Sequence, residues 1–235
     1  MDPEVARGVR RWAINGVVGV VMVAVLLFVP ARRWDWGMGW ALVGLYAGWQ
    51  GAMAVILIPR DPALLAERGT RRRKDMKSWD VTLMSVVGLL TLAKYIIAGL
   101  DVRHGWTTHL GVTVPLVLQI AALVVTAAGY ALVVWAMVAN SFFSKIMRIQ
   151  DDRGHTVATG GPYRFVRHPG YVGTIAFELL TPIVLGSLWS LIPGVLGALL
   201  TIVRTALEDR TLRRELAGYE DYAQRVRYRL LPGVW

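Results

Sequence analysis

Two polar segments of an otherwise apolar chain hold the residue types that could do chemistry. The first, residues 140–171, contains His155 and His168, two of only four histidines in the chain. The second begins at Arg204, and Glu208 follows four residues later, so the two side chains share one helix face. On a solvated helix they would form an ordinary ion pair worth about 0.3–0.5 kcal/mol. Charges where an apolar helix leaves a membrane tend instead to face a polar cavity or the protein interior.

The residues around His168 predict a turn followed by the start of a helix. The tripeptide GGP at 160–162 is typical of a turn. Pro169 disfavours helical geometry at His168 and suits the first position of a helix. We therefore expect His168 at a helix entrance, beside unpaired backbone N–H groups that attract a carboxylate or phosphate. An interfacial loop whose arginines bind lipid phosphates would explain the same residues, and the residues alone leave both interpretations open.

A metal site is not expected from these histidines. His155 and His168 are separated by a spacing that matches no common pair of zinc ligands, and the chain has no cysteine. The sequence also contains neither the glycine-rich and P-loop motifs of soluble nucleotide-binding folds nor the HExxH motif of zinc proteases.

The apolar composition predicts a membrane protein. Hydrophobic residues make up 55% of the 235 residues, which is too many for an ordinary soluble domain. Stretches long enough to span a bilayer are Trp12–Val29, Gly37–Ile58, Val81–Leu100 and Leu110–Ala139. A further stretch, Tyr171–Leu207, is too long for one span, and we expect two short helices with a turn near Leu185–Ser190. The predicted fold is therefore all-α, a polytopic membrane helix bundle of about six transmembrane helices.

The positive charge predicts how this bundle lies in the membrane. The formal net charge is +10, and with six spans most of the 26 Lys and Arg residues fall on one side. The positive-inside rule then places both termini in the cytoplasm. Because topology accounts for most of the charge, nucleic acid is not an expected partner. The basic run Arg71–Lys74 could contact anionic lipid heads, although a role in topology alone explains it as well.

A carboxylate inside a predicted span is a further candidate. Glu178 lies about seven residues into the fifth apolar stretch, where an ionisable group is by default a functional hypothesis. It could instead be neutral, or hydrogen-bonded to a neighbouring helix.

Four sequence motifs follow one another in the C-terminal part of the chain. They are "HTVATGGPY", "RHPGYVG", "RTALE" and "YEDYAQRVRYRLLPGVW". In this order and spacing, they resemble the isoprenylcysteine carboxyl methyltransferase family of integral-membrane enzymes, over about residues 140–235. The first four helices carry no motif. We therefore expect an N-terminal four-helix region, 1–139, and a methyltransferase core, 140–235, within one structural domain.

The resemblance implies S-adenosylmethionine as methyl donor, with S-adenosylhomocysteine as product, in a cytoplasmic pocket roofed by the C-terminal segment. Carried over position by position, the cofactor contacts are His155, Thr156, Val157, Ala158, Tyr163, His168, Pro169, Gly170, Tyr171 and Glu208. The family also uses a glutamine before the His-Thr pair. Arg148 occupies its ungapped position, and Gln150, two residues on, is the candidate. Arg204 takes the place of the family's substrate-side arginine.

The acceptor expected from the apolar surroundings is a lipophilic molecule or a lipid. An isoprenylcysteine-type carboxylate or related acid would need no general base, whereas a thiol or amine would need one, and Glu178 could serve. The alternatives are therefore a phospholipid N-methyltransferase and a small-thiol S-methyltransferase. A non-catalytic transporter, suggested by Glu178 and Lys94 inside spans, and a membrane reductase also remain. We expect a prokaryotic inner-membrane protein whose active site faces the cytoplasm.

Overall fold

The computed structural model describes residues 1–70 and 75–235, and these residues form helices joined by loops, without strands. The basic run Arg71–Lys74 lies outside the described residues. The helices are α1 (Pro3–Ala31), α2 (Gly37–Arg60), α3 (Pro62–Gly69), α4 (Ser78–His104), α5 (Trp106–His109), α6 (Leu116–Val138), α7 (Pro169–Val184), α8 (Leu191–Glu215) and α9 (Tyr219–Arg225). The prediction of an all-α fold is confirmed.

Five helices, α1, α2, α4, α6 and α8, are long and apolar enough to cross a membrane. The protein is thus a polytopic integral-membrane bundle. The sixth expected span, α7, is apolar but has only 16 residues. At about 1.5 Å per residue it reaches roughly 24 Å, which is shorter than the hydrocarbon core of a bilayer. The cytoplasmic placement of both termini stays a prediction.

The helix α8 differs from the short helix expected in this part of the chain. It runs for 25 residues and continues past Leu207 to Glu215. Pro193 does not break it, because it lies in the first turn, where its missing N–H has no helical partner to lose. At the other side of the bundle, α6 begins at Leu116 rather than Leu110, directly after Pro115. The long α8 carries Arg204, Glu208 and Asp209 on one continuous element.

The turn between α7 and α8 forms where it was expected. α7 ends at Val184, Gly186 adopts a positive φ of 71°, and α8 starts at Leu191. The two helices then pack closely through glycine, since a methyl group at Gly194 would come within 2.5 Å of the Glu178 carbonyl oxygen. This hairpin fixes the position of α8 relative to the start of α7.

The C-terminal segment is held against the residues that precede α7. The backbone N–H groups of Arg167 and His168 donate to the carbonyl oxygens of Tyr228 and Arg229, both at 2.9 Å. An apolar cluster supports this contact, and it contains Tyr163, Leu212, Leu216, Tyr219 and Tyr222. The chain end thereby covers the loop that bears most of the motif residues.

The two expected regions share an apolar core. One buried cluster contains Leu27 of α1, Tyr95 of α4 and Val184 of α7, which come from both sides of residue 139. This shared packing agrees with a single structural unit, while the boundary between 139 and 140 stays a prediction.

Candidate functional site: a cavity with a polar and an apolar end

A cavity of about 770 Å³ lies between the motif-bearing loops and the membrane helices. Its size is in the range of small-molecule sites. One end is walled by residues 140–171, α8 and α9, with polar side chains such as His155 and Glu208. The other end lies among α1, α2, α4 and α6, with apolar residues such as Met22, Leu92 and Val133.

Most of the predicted site residues meet in the wall of this cavity. They are His155, Thr156, Val157, Ala158, Tyr163, His168, Gly170, Tyr171, Glu178, Arg204 and Glu208. Two of the predicted residues do not line it. Pro169 forms the first position of α7 behind the wall. Gln150 is fully buried, donates its amide to the Phe142 carbonyl at 2.8 Å, and accepts from Arg153. Arg148, at the ungapped position, does line the cavity.

The start of α7 has the predicted arrangement. His168 is the residue before the first helical turn, with non-helical φ of −129° and ψ of 58°, and Pro169 follows it. Gly170 then lies against the Phe143 ring, where a methyl group would come within 2.5 Å of the ring carbon Cζ. A side chain at this position would push Phe143 out of the wall, so glycine is required for the local packing.

Asp209 is the centre of a buried hydrogen-bond network under the polar end. Its side chain is fully buried and accepts from Arg167 at 2.6 and 3.0 Å and from Arg229 at 2.9 Å. The Tyr219 hydroxyl donates to it at 3.1 Å, and His168 Nε2 lies 3.3 Å away. Burial opposes charge on Arg167, but hydrogen bonding to Asp209 outweighs it and raises the pKa of that guanidinium.

Arg213 follows Asp209 by four residues on α8, so it is the partner that helical spacing alone predicts. That contact exists at 3.3 Å, yet it is the weakest part of a network that spans three segments of the chain. Arg167, Arg213 and Arg229 are 42, 4 and 20 residues away from Asp209, and only the second separation is a helical spacing. Sequence periodicity therefore finds the minor partner and misses the two major ones.

Glu208 presents a carboxylate to the cavity. The Tyr171 hydroxyl donates to its Oε2 at 2.6 Å, and His168 Nδ1 lies 3.7 Å from its Oε1. The side chain keeps 19% of its surface accessible, so it has acceptor capacity left for a bound molecule. The carboxylate, the imidazole and the start of α7 thus converge on one part of the wall.

His155 forms a second part of the polar wall. Its Nδ1 accepts from the Gln150 backbone N–H at 3.3 Å, and its ring packs on Phe142 at 4.5 Å between centroids. Burial is the main cause that lowers the pKa of this imidazole to about 4, with Arg148 and Arg153 adding to it. A neutral ring that accepts at Nδ1 carries its proton on Nε2, which is then a donor.

Arg204 is bound by a carboxylate that no motif indicated. Its Nε donates to Asp80 Oδ1 at 2.6 Å and its Nη2 to Asp80 Oδ2 at 2.8 Å. Nη2 also donates to the Lys145 carbonyl at 2.8 Å, and the guanidinium lies over the Tyr171 ring. Asp80 is fully buried and also accepts from the Met147 N–H. The available signal was a carboxylate directly before the predicted span Val81–Leu100, in what the structure shows to be the first turn of α4.

Glu178 is bound by the other charge inside the predicted spans. Lys94 of α4 donates to its Oε2 at 2.6 Å, and Thr91 Oγ1 lies 3.4 Å from its Oε1. The Lys94 ammonium is fully buried and also lies 4.4 Å from the centre of the Phe177 ring. Of the interpretations left open by the sequence, this geometry fits a carboxylate held by a neighbouring helix. The presence of one cation and one carboxylate inside predicted spans is the sequence feature from which this ion pair could have been predicted.

Among the described residues, no three His, Cys, Asp or Glu side chains come close enough together to hold a metal ion.

The comparisons with known proteins agree with this architecture. Residues 116–214 match the model of the isoprenylcysteine carboxyl methyltransferase (ICMT) family. A solved structure of the eukaryotic intramembrane Ras methyltransferase ICMT, without a monobody, aligns with 100% of this chain and 98% of its own, at a TM-score of 0.54 and 17% identity. At that identity the likeness concerns the fold. The curated proteins include no match.

The fold and the cavity define a polytopic membrane protein with a cavity that has a polar and an apolar end. The family match covers residues 116–214, less than half of the chain, and makes this part similar to the membrane methyltransferases of the isoprenylcysteine carboxyl methyltransferase family. The resemblance drawn from the motifs is thereby confirmed.

Proposed function

We propose that the protein transfers a methyl group from S-adenosylmethionine to a lipophilic acid in the cavity. The observation that carries this proposal is the continuity of the cavity. Its polar end holds the motif residues His155, His168 and Glu208, and its apolar end lies among the membrane helices. A charged methyl donor can therefore bind at the polar end while an apolar acceptor reaches it from the end among the membrane helices.

The donor set at the polar end fits S-adenosylmethionine. Glu208 has a free acceptor edge for an ammonium or ribose hydroxyl, and the start of α7 attracts a carboxylate. The neutral His155 can donate from Nε2, and Tyr163 provides an aromatic wall. When bound, the cofactor supplies an electrophilic methyl group on a sulfonium cation. The task of the protein is then to position the two reactants in line and to exclude water.

The bonding of Glu178 supports an acid as the acceptor. An amine or thiol acceptor would need a general base, and Glu178 was the candidate. Its carboxylate is already bound by Lys94 at 2.6 Å, so removing a proton from an acceptor would also break a buried ion pair. A carboxylate acceptor needs no base. The proposed reaction is therefore carboxyl O-methylation at the cytoplasmic face of the membrane, with a prokaryotic inner membrane as the proposed location.

The test is methyl transfer by the purified protein in detergent. The protein is incubated with methyl-labelled S-adenosylmethionine and a membrane lipid extract, and mass spectrometry identifies the product. We expect a methyl ester, and base hydrolysis should release its labelled methyl group as methanol. A base-stable N-methyl or S-methyl product would contradict an acid acceptor and would identify the acceptor as a phospholipid amine or a thiol.

The matched variants separate binding from chemistry. The double variant His168→Ala/Glu208→Ala should lose cofactor binding in calorimetry, whereas Arg33→Ala, in an exposed ion pair with Asp35, should not. No cofactor binding by the wild type, or equal binding by the double variant, would sink the proposal. Substrate flux in proteoliposomes that is abolished by Glu178→Gln and indifferent to the cofactor would point to a transporter instead.

A further inference from the structure

Two cations in the cavity wall have no carboxylate partner. Arg68, at the end of α3, and Lys145, in the loop after α6, both line the cavity. In the described residues, neither forms an ion pair with an Asp or Glu side chain. The four residues outside that description, 71–74, are three arginines and a lysine, so they contain no carboxylate that could supply one.

Arg68 has little compensation for its burial. Its only hydrogen bond in the described structure runs from Nη1 to the Phe143 carbonyl at 3.1 Å, and its guanidinium lies over the Phe143 ring. Its Nε is buried and has no hydrogen-bond partner there. Burial, together with the nearby positive charge of Arg204, lowers the pKa of Arg68 to about 10. A buried donor without a partner is costly, and a bound acceptor would remove that cost.

Lys145 adds a second uncompensated charge at the same place. Its backbone carbonyl accepts from Arg204 at 2.8 Å, while its ammonium makes no hydrogen bond or ion pair within the described structure. Lys145 is exposed overall but lines the cavity, and burial there, and then the charge of Arg68, lowers its pKa to about 8. The two cations are therefore near enough to repel each other.

The cations of the site that are buried throughout are all neutralised. Arg204 is paired with Asp80, Arg167 with Asp209 and Lys94 with Glu178. Arg148 contacts three carboxylates, those of Glu67, Asp75 and Asp152. Buried polar groups are normally paired, so the unpartnered Nε of the half-buried Arg68, with the more exposed Lys145 beside it in the cavity wall, indicates a site whose counter-charge arrives with a ligand.

The position of Arg68 indicates which ligand. It is close enough to interact electrostatically with Arg204, with Tyr46 of α2 and with Tyr171. Tyr46 belongs to the part of the cavity wall formed by the membrane helices. Arg68 thus lies between the motif residues assigned to the cofactor and the apolar end assigned to the acceptor.

We propose that Arg68 and Lys145 form an anion-binding subsite that holds the acidic group of the acceptor and selects acids over neutral lipids. The proposal rests on the proposed function for the assignment of the two ends of the cavity. In this arrangement Arg204 is fixed by Asp80, and the charge that recognises the acid comes from Arg68 of α3 and Lys145 of the loop after α6. Arg68 itself lies outside the family match.

The test compares two probes that differ only in charge. Palmitate and palmitamide share one alkyl chain, and their binding to the full-length protein is measured by calorimetry in a non-ionic detergent without cofactor. We expect the wild type to prefer palmitate about tenfold or more, the scale of a charge-assisted hydrogen bond. Arg68→Gln and Lys145→Gln should each reduce this preference, and the double variant should abolish it.

The matched control is Lys77→Gln. Lys77 is paired with Glu215 at 2.6 Å and does not line the cavity, so its removal lowers the net charge equally while leaving the preference unchanged. Equal binding of the two probes by the wild type would overturn the proposal, and so would an equal loss in Lys77→Gln. A fall in cofactor affinity in Arg68→Gln with the palmitate preference intact would assign the subsite to the cofactor's carboxylate and overturn it as well.

The two proposals fail in different ways. If methylation fails but the charge preference and its loss in the variants persist, the subsite stands and the methyl-transfer reaction falls. If methyl esters form at the wild-type rate in the double variant, the reaction stands and the subsite falls.

Discussion

The two halves of the molecule contribute to the site in different ways. Residues 140–235 supply nearly all the side chains that motifs identify, whereas residues 1–139 contain no motif. Yet Arg204, Glu178 and Arg148 of the first group are paired with Asp80, Lys94 and Glu67 of the second. Motifs therefore locate groups of the cavity wall that we propose to meet a ligand, whereas several charges that pair with this region come from helices whose sequences are largely apolar.

Asp209 shows the opposite arrangement. Its partners Arg167, His168, Tyr219 and Arg229 all belong to residues 140–235. This network fastens the C-terminal segment onto the start of α7, and it does so without the N-terminal helices. The site thus rests on one network internal to the motif region and on several ion pairs that cross between the halves. Variants of each type should have different consequences.

The largest effect is expected for Asp209→Asn. The substitution keeps the size of the side chain but leaves Arg167 and Arg229 buried or half-buried without their counter-charge. We expect the free energy of unfolding to fall by about 5 kcal/mol, the upper range for breaking a buried pair. The C-terminal segment should detach, so limited trypsin digestion should cut near Arg227 before the membrane helices unfold.

The control for this variant is Asp221→Asn, which removes an exposed carboxylate from α9. It should change the free energy of unfolding by less than about 0.5 kcal/mol. If Asp209→Asn keeps both its thermal stability and its trypsin resistance, the network does not fasten the segment.

The next largest effect is expected for Asp80→Asn, which breaks a pair between the halves. The amide NH₂ of asparagine would face donors, because Asp80 accepts from Arg204 and from the Met147 N–H. We expect about 3 kcal/mol lower stability, and a fall in kcat of about a hundredfold with little change in KM for S-adenosylmethionine. Steady-state kinetics in detergent separate the two parameters.

Asp35→Asn is the matched control, since its partner Arg33 is exposed and the pair should be worth less than about 1 kcal/mol. A rise in KM for the cofactor with unchanged kcat would show that Asp80 supports the cofactor end instead of positioning Arg204.

Sequence reasoning predicted the all-α fold, the turn between α7 and α8, and the helix start at Pro169, because glycine and proline act locally. It also placed most of the proposed cofactor residues in one wall, since their motif is contiguous. It did not predict the partner of Arg204, which is 124 residues away. Nor did it predict the length of α8, because Pro193 is tolerated in a first turn. Long-range pairing depends on how helices dock, and no local pattern encodes it.

Replacing Lys94 alone should lower the free energy of unfolding by less than the two preceding variants, and replacing Lys94 and Glu178 together should lower it less still. Lys94→Met alone leaves the buried Glu178 carboxylate without its counter-charge and should cost about 2 kcal/mol. The double variant Lys94→Met/Glu178→Met removes both charges and should lie within about 1 kcal/mol of the wild type. Thermal unfolding of the two single variants and the double variant gives the coupling between them.

Methyl transfer by the double variant then separates structure from chemistry. If Glu178 serves only to hold α4 against α7, activity should remain within a few-fold of the wild type. Complete loss of activity in a stable double variant would instead make Glu178 part of the reaction and would weaken the case for a base-free carboxylate acceptor.

The smallest effect is a pH dependence confined to the motif region. Burial lowers the pKa of His155 to about 4 in the folded protein, below its ordinary value of about 6.5. The unfolded chain therefore binds the proton more readily, and the free energy of unfolding falls as the pH drops from about 6.5 towards 4. Because the contacts of His155 are with Phe142 and Gln150, this term should be independent of Asp80.

The measurement is Tm in detergent at pH 7.5 and pH 5. We expect the decrease in Tm between these values to be smaller in His155→Gln than in the wild type. A pKa shift from about 6.5 to about 4 contributes about 2 kcal/mol at pH 5, and discounting this to about 1 kcal/mol for the partly exposed ring gives about 3 °C in a chain of this size. The same difference should appear in the Asp80→Asn background, since the two sites share no partner. An equal decrease in Tm with and without His155 would show that another group causes the acid sensitivity. If the difference in Tm disappears in the Asp80→Asn background, the two halves are coupled through the loop 140–150 as well as through Arg204.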